Sequence, residues 1–159
     1  MKQIFLALVF SAATTTAALA GQYCTLDESV MFACTFNDGK KAVEVCDTTY
    51  WAEGDNAAYA FFKTTGEVEK EIITDKASLI ATPWNGVGNT IWETVTFYSD
   101  DYGYEVWWSI DRNSDAVPVG GINVLQNGAT LAELTCDAGS VQQNLGTLVE
   151  AVEAAQVSP

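Results

Sequence analysis

Alternation of apolar and polar positions with period two runs through most of the chain, and a helical period appears only near its end. The densest alternation is IWETVTFYSDDYGYEVWWSI, residues 91–110. Two runs of β-branched and aromatic residues flank the polar turn Ser99-Asp100-Asp101-Tyr102-Gly103, which predicts a β-hairpin. With Ser99 opposite Tyr104, Phe97 faces Val106 and Val95 faces Trp108, giving a core face. On the other side Thr96 faces Trp107 and Tyr98 faces Glu105. That second face carries Trp92, Tyr98 and Trp107 among threonines and acids, more aromatic surface than a solvated face needs.

The same alternation predicts strands over 30–36 and 41–46 about the turn Asn37-Asp38-Gly39-Lys40, where Asp-Gly supplies the positive φ values of a tight hairpin turn. A second hairpin spans 57–63 and 67–74 around Thr65-Gly66, with Glu67, Glu69 and Glu71 marking a solvated side. Residues 75–89, with Pro83, Gly86 and Gly88, form a long loop around Trp84. After the central hairpin, 111–116 is a polar loop, and 119–125 and 129–136 make a last hairpin about Asn127-Gly128. In the tail Ser140 and Gln143 form a capping box, and Val141, Leu145, Leu148, Val149 and Val152 follow a helical stripe. The reading is one mainly β domain over 21–159. It is an antiparallel barrel or strongly curved sheet of about eight strands built from hairpins, with a C-terminal amphipathic helix at about 140–156.

Residues 1–20 have the form of a secretory leader: Lys2, an apolar run over 4–10, and Ala18-Leu19-Ala20 as a small-x-small cleavage site. The apolar run is too short for a membrane span. Gly21, Gln22 and Tyr23 precede Cys24, which argues against a lipid anchor. A soluble periplasmic or secreted protein is expected. In that setting Cys24, Cys34, Cys46 and Cys136 predict two disulfides. In the first hairpin Cys34 sits opposite Val43 and Cys46 points to the other face, so Cys34–Cys46 is disfavoured unless a bulge shifts the register. Of the pairings, Cys34–Cys136 with Cys24–Cys46 is preferred because it ties the first long strand to the last; the connectivity stays open.

Charge narrows the partners. Loss of Lys2 with a leader leaves six basic side chains against twenty-one acids, a net charge near −15. Such a balance argues against nucleic acid and anionic membrane, and suits a basic protein partner or cations. General solubility, or life in salt, would explain it equally.

Catalytic chemistry finds little support. The chain contains no histidine, so the usual general base for a serine or cysteine nucleophile is missing. The cysteine spacing matches no zinc pattern. Asp100-Asp101 sits where a turn favours aspartate. Asp111-Arg112-Asn113-Ser114-Asp115 opens like a calcium loop, yet Ala116 and Ile122 stand where that loop needs glycine and glutamate. No catalytic residue, metal or cofactor is expected. The candidate binding residues are Trp92, Tyr98, Glu105 and Trp107, with Glu93, Glu105 and Asp111 expected as an acidic rim, a face suited to protein recognition or to carbohydrate stacking. The alternative is that the C-terminal helix covers these rings as a second small core.

Phe32-Ala33-Cys34-Thr35-Phe36-Asn37-Asp38-Gly39-Lys40, continuing to Cys46, resembles the opening of a group of small exported, functionally uncharacterised bacterial proteins (F-x-C, G-K, C). Gly120-Gly121-Ile122-Asn123-Val124 and the late Cys136 fit the same group. More remotely, Val106-Trp107-Trp108 and the placement of Cys34 and Cys136 resemble the periplasmic and membrane-bound inhibitors of c-type lysozyme. Those are small β-barrels with an early cysteine bridged to a late one. The Ser-Gly-x-x-Tyr loop of those inhibitors is absent, so the resemblance implies architecture and a class of partner and carries over no inhibitory residue. The expected function is an exported acidic β-barrel binding protein, an inhibitor of a basic lysozyme-like hydrolase. The alternative is a carbohydrate- or cation-binding cell-envelope module. The oligomeric state is left open.

Overall fold

A computed structural model describes residues 21–49, 51–113 and 115–157. The expected leader, residues 1–20, lies outside the described residues, as does Ser114 of the polar loop. Ten strands form among the described residues: β1 (Val30–Phe36), β2 (Lys41–Asp47), β3 (Asn56–Lys63), β4 (Val68–Asp75), β5 (Ile80–Thr82), β6 (Thr90–Ser99), β7 (Tyr102–Asp111), β8 (Val119–Gln126), β9 (Ala129–Thr135) and β10 (Gln142–Gln143). One helix, α1 (Leu145–Val157), ends the described chain.

The strands make two antiparallel five-stranded sheets, ordered β10-β1-β2-β3-β4 and β5-β6-β7-β8-β9. The mainly β reading holds, with a C-terminal helix, and among the described residues neither sheet closes into a barrel. The break falls after β4. Asp75 accepts from the Ala77 amide and caps a 3-10 turn, Lys76–Ser78, that buries Lys76. The Lys76 ammonium donates to Asp47 (2.9 Å), Thr49 (3.1 Å) and Asp55 (2.6 Å). This anchor turns the chain off the edge of the first sheet, and β5 starts the second. Burial alone would lower the Lys76 pKa, but its bonds to Asp55 and Asp47 outweigh that and hold it raised.

Between the sheets lies one core. Phe32, Phe36, Val43, Val45 and Tyr59 from the first sheet meet Val95, Phe97, Val106, Trp108 and Ile122 from the second. The Tyr59 ring touches Phe97 and Tyr104 at centroid distances of 5.8 and 5.5 Å. Gly120 permits close approach: a Cβ there would stand 3.1 Å from the Phe32 ring and 2.8 Å from the Trp107 carbonyl oxygen. Leu145, Leu148, Val149 and Val152 of α1 enter the same core, as the helical stripe predicts.

Cys24 pairs with Cys46 and Cys34 with Cys136, the preferred pairing of the sequence reading. Cys34 does lie opposite Val43. The second bridge closes a span of 102 residues, the geometry in which chain-entropy arguments give a cross-link its largest effect, about 4–5 kcal/mol. Next to it, Asp137 accepts from the Thr35 hydroxyl (2.8 Å) and from the Asp38 (3.1 Å) and Gly39 (2.8 Å) amides, clamping the β1–β2 turn. Burial pushes its pKa up, but these bonds prevail and hold it below the usual carboxylate range.

Two local expectations are corrected. The central hairpin turns on two residues, Asp100-Asp101, with Ser99 opposite Tyr102 rather than Tyr104. Asp100 accepts a φ of 54°, which aspartate tolerates, so the tighter turn is available. Phe97 therefore faces Tyr104, Val95 faces Val106, Thr96 faces Glu105 and Tyr98 faces Gly103. A shift of two keeps parity, so every face assignment survives. The capping box does not form either. The Ser140 hydroxyl donates to the Asp137 carbonyl (2.7 Å) and accepts from the Thr35 amide (3.2 Å), while Gln142–Gln143 pair with β1. The helix starts at Leu145, where Gln143 accepts from the Leu145 amide.

Candidate functional site

Strand parity places Trp92, Thr94, Thr96 and Tyr98 of β6 on the outer face of the second sheet, with Glu105, Trp107 and Ser109 of β7 beside them. From β8 the same face receives Val119, Gly121, Asn123 and Leu125, and from β5 Ile80 and Thr82. All four predicted binding residues, Trp92, Tyr98, Glu105 and Trp107, thus share one surface. They are strung along it and not gathered at a point: six residues of strand separate Trp92 from Tyr98, about 20 Å.

The helix does not cover this face. It packs on the 76–78 turn, β5, β6 and β1. A Cβ at Gly146 would stand 3.0 Å from Glu93 Oε1. Glu93, expected at the rim of the aromatic face, is instead on the inner side of β6 by strand parity, opposite Trp108, whose Nε1 donates to Glu93 Oε2 at 2.9 Å. Gly146, a weak point for helix propensity, is where the helix meets that pair.

Two rings are held against the sheet by glycines. Tyr98 lies opposite Gly103, and its Cε1 is 3.1 Å from where a Gly103 Cβ would be. Trp107 lies opposite Gly121, its Cε2 likewise 3.1 Å from that missing Cβ, while the Leu134 carbonyl crowds the same position. The consequence is a low aromatic surface. Trp107 is half-buried, and its Nε1 is enclosed without a hydrogen-bond partner. Tyr98 remains 49 % exposed, and Ile80 and Val119 are 53 and 50 % exposed. Glu105 is fixed by Asn123, whose Nδ2 donates to it at 2.8 Å. Ile80 and Val119 were not singled out from the sequence. The parity of β8 against β7 would have found Val119; β5 is too short to have been seen.

The outer face of the first sheet contrasts with this. Its residues on β1, β2 and β3 (Ala33, Ala42, Glu44, Cys46, Ala58, Ala60, Phe62) are nearly solvent-free. Tyr23 and Cys24 pack over Ala42, Cys46, Ala58, Ala60 and Phe62, with Tyr23 stacked on Phe62 at 6.5 Å and Cys24 bonded to Cys46. Tyr23 also donates to Glu71 (2.5 Å), and its hydroxyl pKa is raised, first by burial and then by that carboxylate.

The other candidate chemistry is unremarkable in geometry. Asp111 accepts from the Asn113 amide, a bond within its own turn, and Arg112 stacks over Trp84 at 5.3 Å. Among the described residues one trio, Cys24, Glu44 and Cys46, gathers three metal-type donors, and both of its sulfurs are committed to a disulfide. Two formed disulfides point to an oxidising, extracellular-type compartment. No described helix is long and apolar enough to cross a membrane. No family model matches the chain, and no curated protein or solved structure matches it either.

Proposed function

We propose that this chain is an exported, periplasmic or secreted binding protein that docks a basic protein on the outer face of its second sheet. A lysozyme-like hydrolase is the class of partner. The observation that carries the reading is the bare face itself: Tyr98, Ile80 and Val119 exposed beside half-buried Trp92 and Trp107, with Glu105 set among them. Aromatic anchors dominate binding energy in protein interfaces, and acidic groups beside them favour a basic partner. A net charge of −14 adds long-range attraction that speeds association and weakens with salt. The reading is non-enzymatic; a chain without histidine lacks the most common general base.

The test is a lysis assay with c-type, g-type and i-type lysozymes, run beside binding measurements at low and high salt. Inhibition or salt-sensitive binding that Tyr98→Ala or Trp92→Ala removes supports the proposal. Absence of both inhibition and binding at low salt ends it. Glycan-induced tryptophan quenching, or a calcium-induced rise in melting temperature, would favour the carbohydrate- or cation-binding alternative.

A further inference from the structure

Glu44 is an acid in the middle of a buried strand. It is 1 % exposed, and among the described residues no lysine or arginine pairs with it. Its partners are four successive backbone amides. Oε1 accepts from Gly21 (3.1 Å) and Gln22 (2.8 Å), and Oε2 from Tyr23 (2.9 Å) and Cys24 (2.7 Å). Both oxygens act only as acceptors, as in an ionised carboxylate. An ionised carboxylate buried away from water calls for a counter-charge, since a buried charge is costly unless paired.

The cradle begins at Gly21, the residue that follows the Ala18-Leu19-Ala20 cleavage signal. We propose that Glu44 is the receptor for the chain's own new N-terminus, the α-ammonium of Gly21 released when the leader is cut after Ala20. A leader peptidase adds one water across the Ala20–Gly21 peptide bond. Ala20 leaves with the carboxylate, and Gly21 keeps an amine that takes up a proton at neutral pH. The Gly21 amide N–H on Oε1 then becomes an ammonium beside the Gln22 amide, and the neutral cradle becomes a charge pair. Cleavage completes the cover over the first sheet, which the Cys24–Cys46 bond and the Tyr23–Phe62 stack hold in place. The proposal is independent of the partner docked on the second sheet.

The groups around the new amine all favour its charged form. Glu44 comes from β2, and Asp27, from the 3-10 turn Asp27–Ser29, has its Oδ1 3.0 Å from where a Gly21 Cβ would stand. On the same face Tyr23 pairs with Glu71 of β4. An ordinary α-amine titrates near about 7.7–8.0. With carboxylates beside it, that of Gly21 titrates higher in the folded protein. Its stabilisation is thus full below the ordinary value and lost as pH rises through the raised one.

The first measurement is N-terminal sequencing of the exported protein, which is expected to read Gly21-Gln22-Tyr23; any other start overturns the proposal. The second compares oxidised protein beginning at Gly21 with protein beginning at Ala20. The Ala20 form is expected to melt several degrees lower at pH 6, with the gap closing by pH 11. NMR titration of the Gly21 amine should give a value above the ordinary range. Equal melting temperatures at pH 6, or an ordinary titration, overturn the proposal. In Glu44→Gln the gap between the two forms should shrink, and an undiminished gap contradicts Glu44 as receptor. Should that variant fail to fold, the Gly21 and Ala20 comparison stands with Glu44 intact.

Discussion

The two sheets solve the same problem in opposite ways. Each has one face in the core and one outside. The first sheet puts small residues outside, Ala42, Ala58 and Ala60, and buries them under Tyr23 and Cys24, which Cys46 and Glu44 hold. The second sheet puts large rings outside and lays two of them on cross-strand glycines, Tyr98 on Gly103 and Trp107 on Gly121. Alanines on an outer face need a cover. Rings over glycines supply their own, and leave a surface that a partner can use.

The contrast is sharpest in how each face should respond to losing one acid. Glu44→Ala strands four amides, three part-buried and that of Cys24 buried, and is expected to cost about 3 kcal/mol, read from the shift in urea midpoint. Glu105→Ala, which breaks one part-buried bond to Asn123, is expected to cost about 1 kcal/mol. Equal costs would erase the distinction between the faces.

Next in size is the cover's cross-link. Removing both Cys24 and Cys46, whose bridge spans 22 residues, should cost about 2–4 kcal/mol. Amide exchange should then rise along the outer positions of β2 and β3 while β6 to β8 stay protected. Exchange that rises uniformly would show that the cover is not a separate unit.

On the bare face the expected order reverses. Tyr98→Ala exposes Gly103 and should cost about 1 kcal/mol or less of stability, yet weaken partner binding about tenfold or more, the range of interface anchors. A stability loss that matches the binding loss would make Tyr98 only a shield for its glycine.

The smallest effect is in acid. Asp137 and Asp47 are both held below the usual carboxylate range: burial opposes this in each, and hydrogen bonds from Gly39, Thr35 and Asp38, or from Thr49 and Lys76, override it. Their stabilisation is full above the ordinary value, about 3.9, and falls as pH drops through the depressed one. Asp137→Asn should flatten the acid limb of the stability profile, measured by melting temperature between pH 2 and about pH 5.

The alternation in the sequence was enough to assign the faces, and the reason is visible in the central hairpin. Its register differs by two from the expected one, and a slip of two leaves Val95, Phe97, Val106 and Trp108 inside and Trp92, Tyr98, Glu105 and Trp107 outside. Cysteine parity in the first hairpin worked for the same reason, since the Asp-Gly turn fixed Cys34 opposite Val43. What pattern could not show was non-local. Hairpins define neighbours and do not say where a sheet ends, and here that depends on buried Lys76 meeting Asp47 at the end of β2 and Asp55 in the β2–β3 loop. Ile80–Thr82 and Gln142–Gln143 are too short to carry a period, and Ser140 was claimed by Thr35, its neighbour only in space. Glu44 was missed because a single acid in a strand has no periodic signature; its meaning lies in the four amides brought to it.

The most direct test of the central claim is an NMR titration of the oxidised protein with a basic lysozyme at low salt, mapping amide shifts onto the two sheets. Shifts concentrated on β6 to β8 around Trp92, Tyr98, Glu105 and Trp107, and reversed by added salt, are what the bare face predicts. Shifts confined to the first sheet or the acidic loops, or no shifts at all, would contradict it.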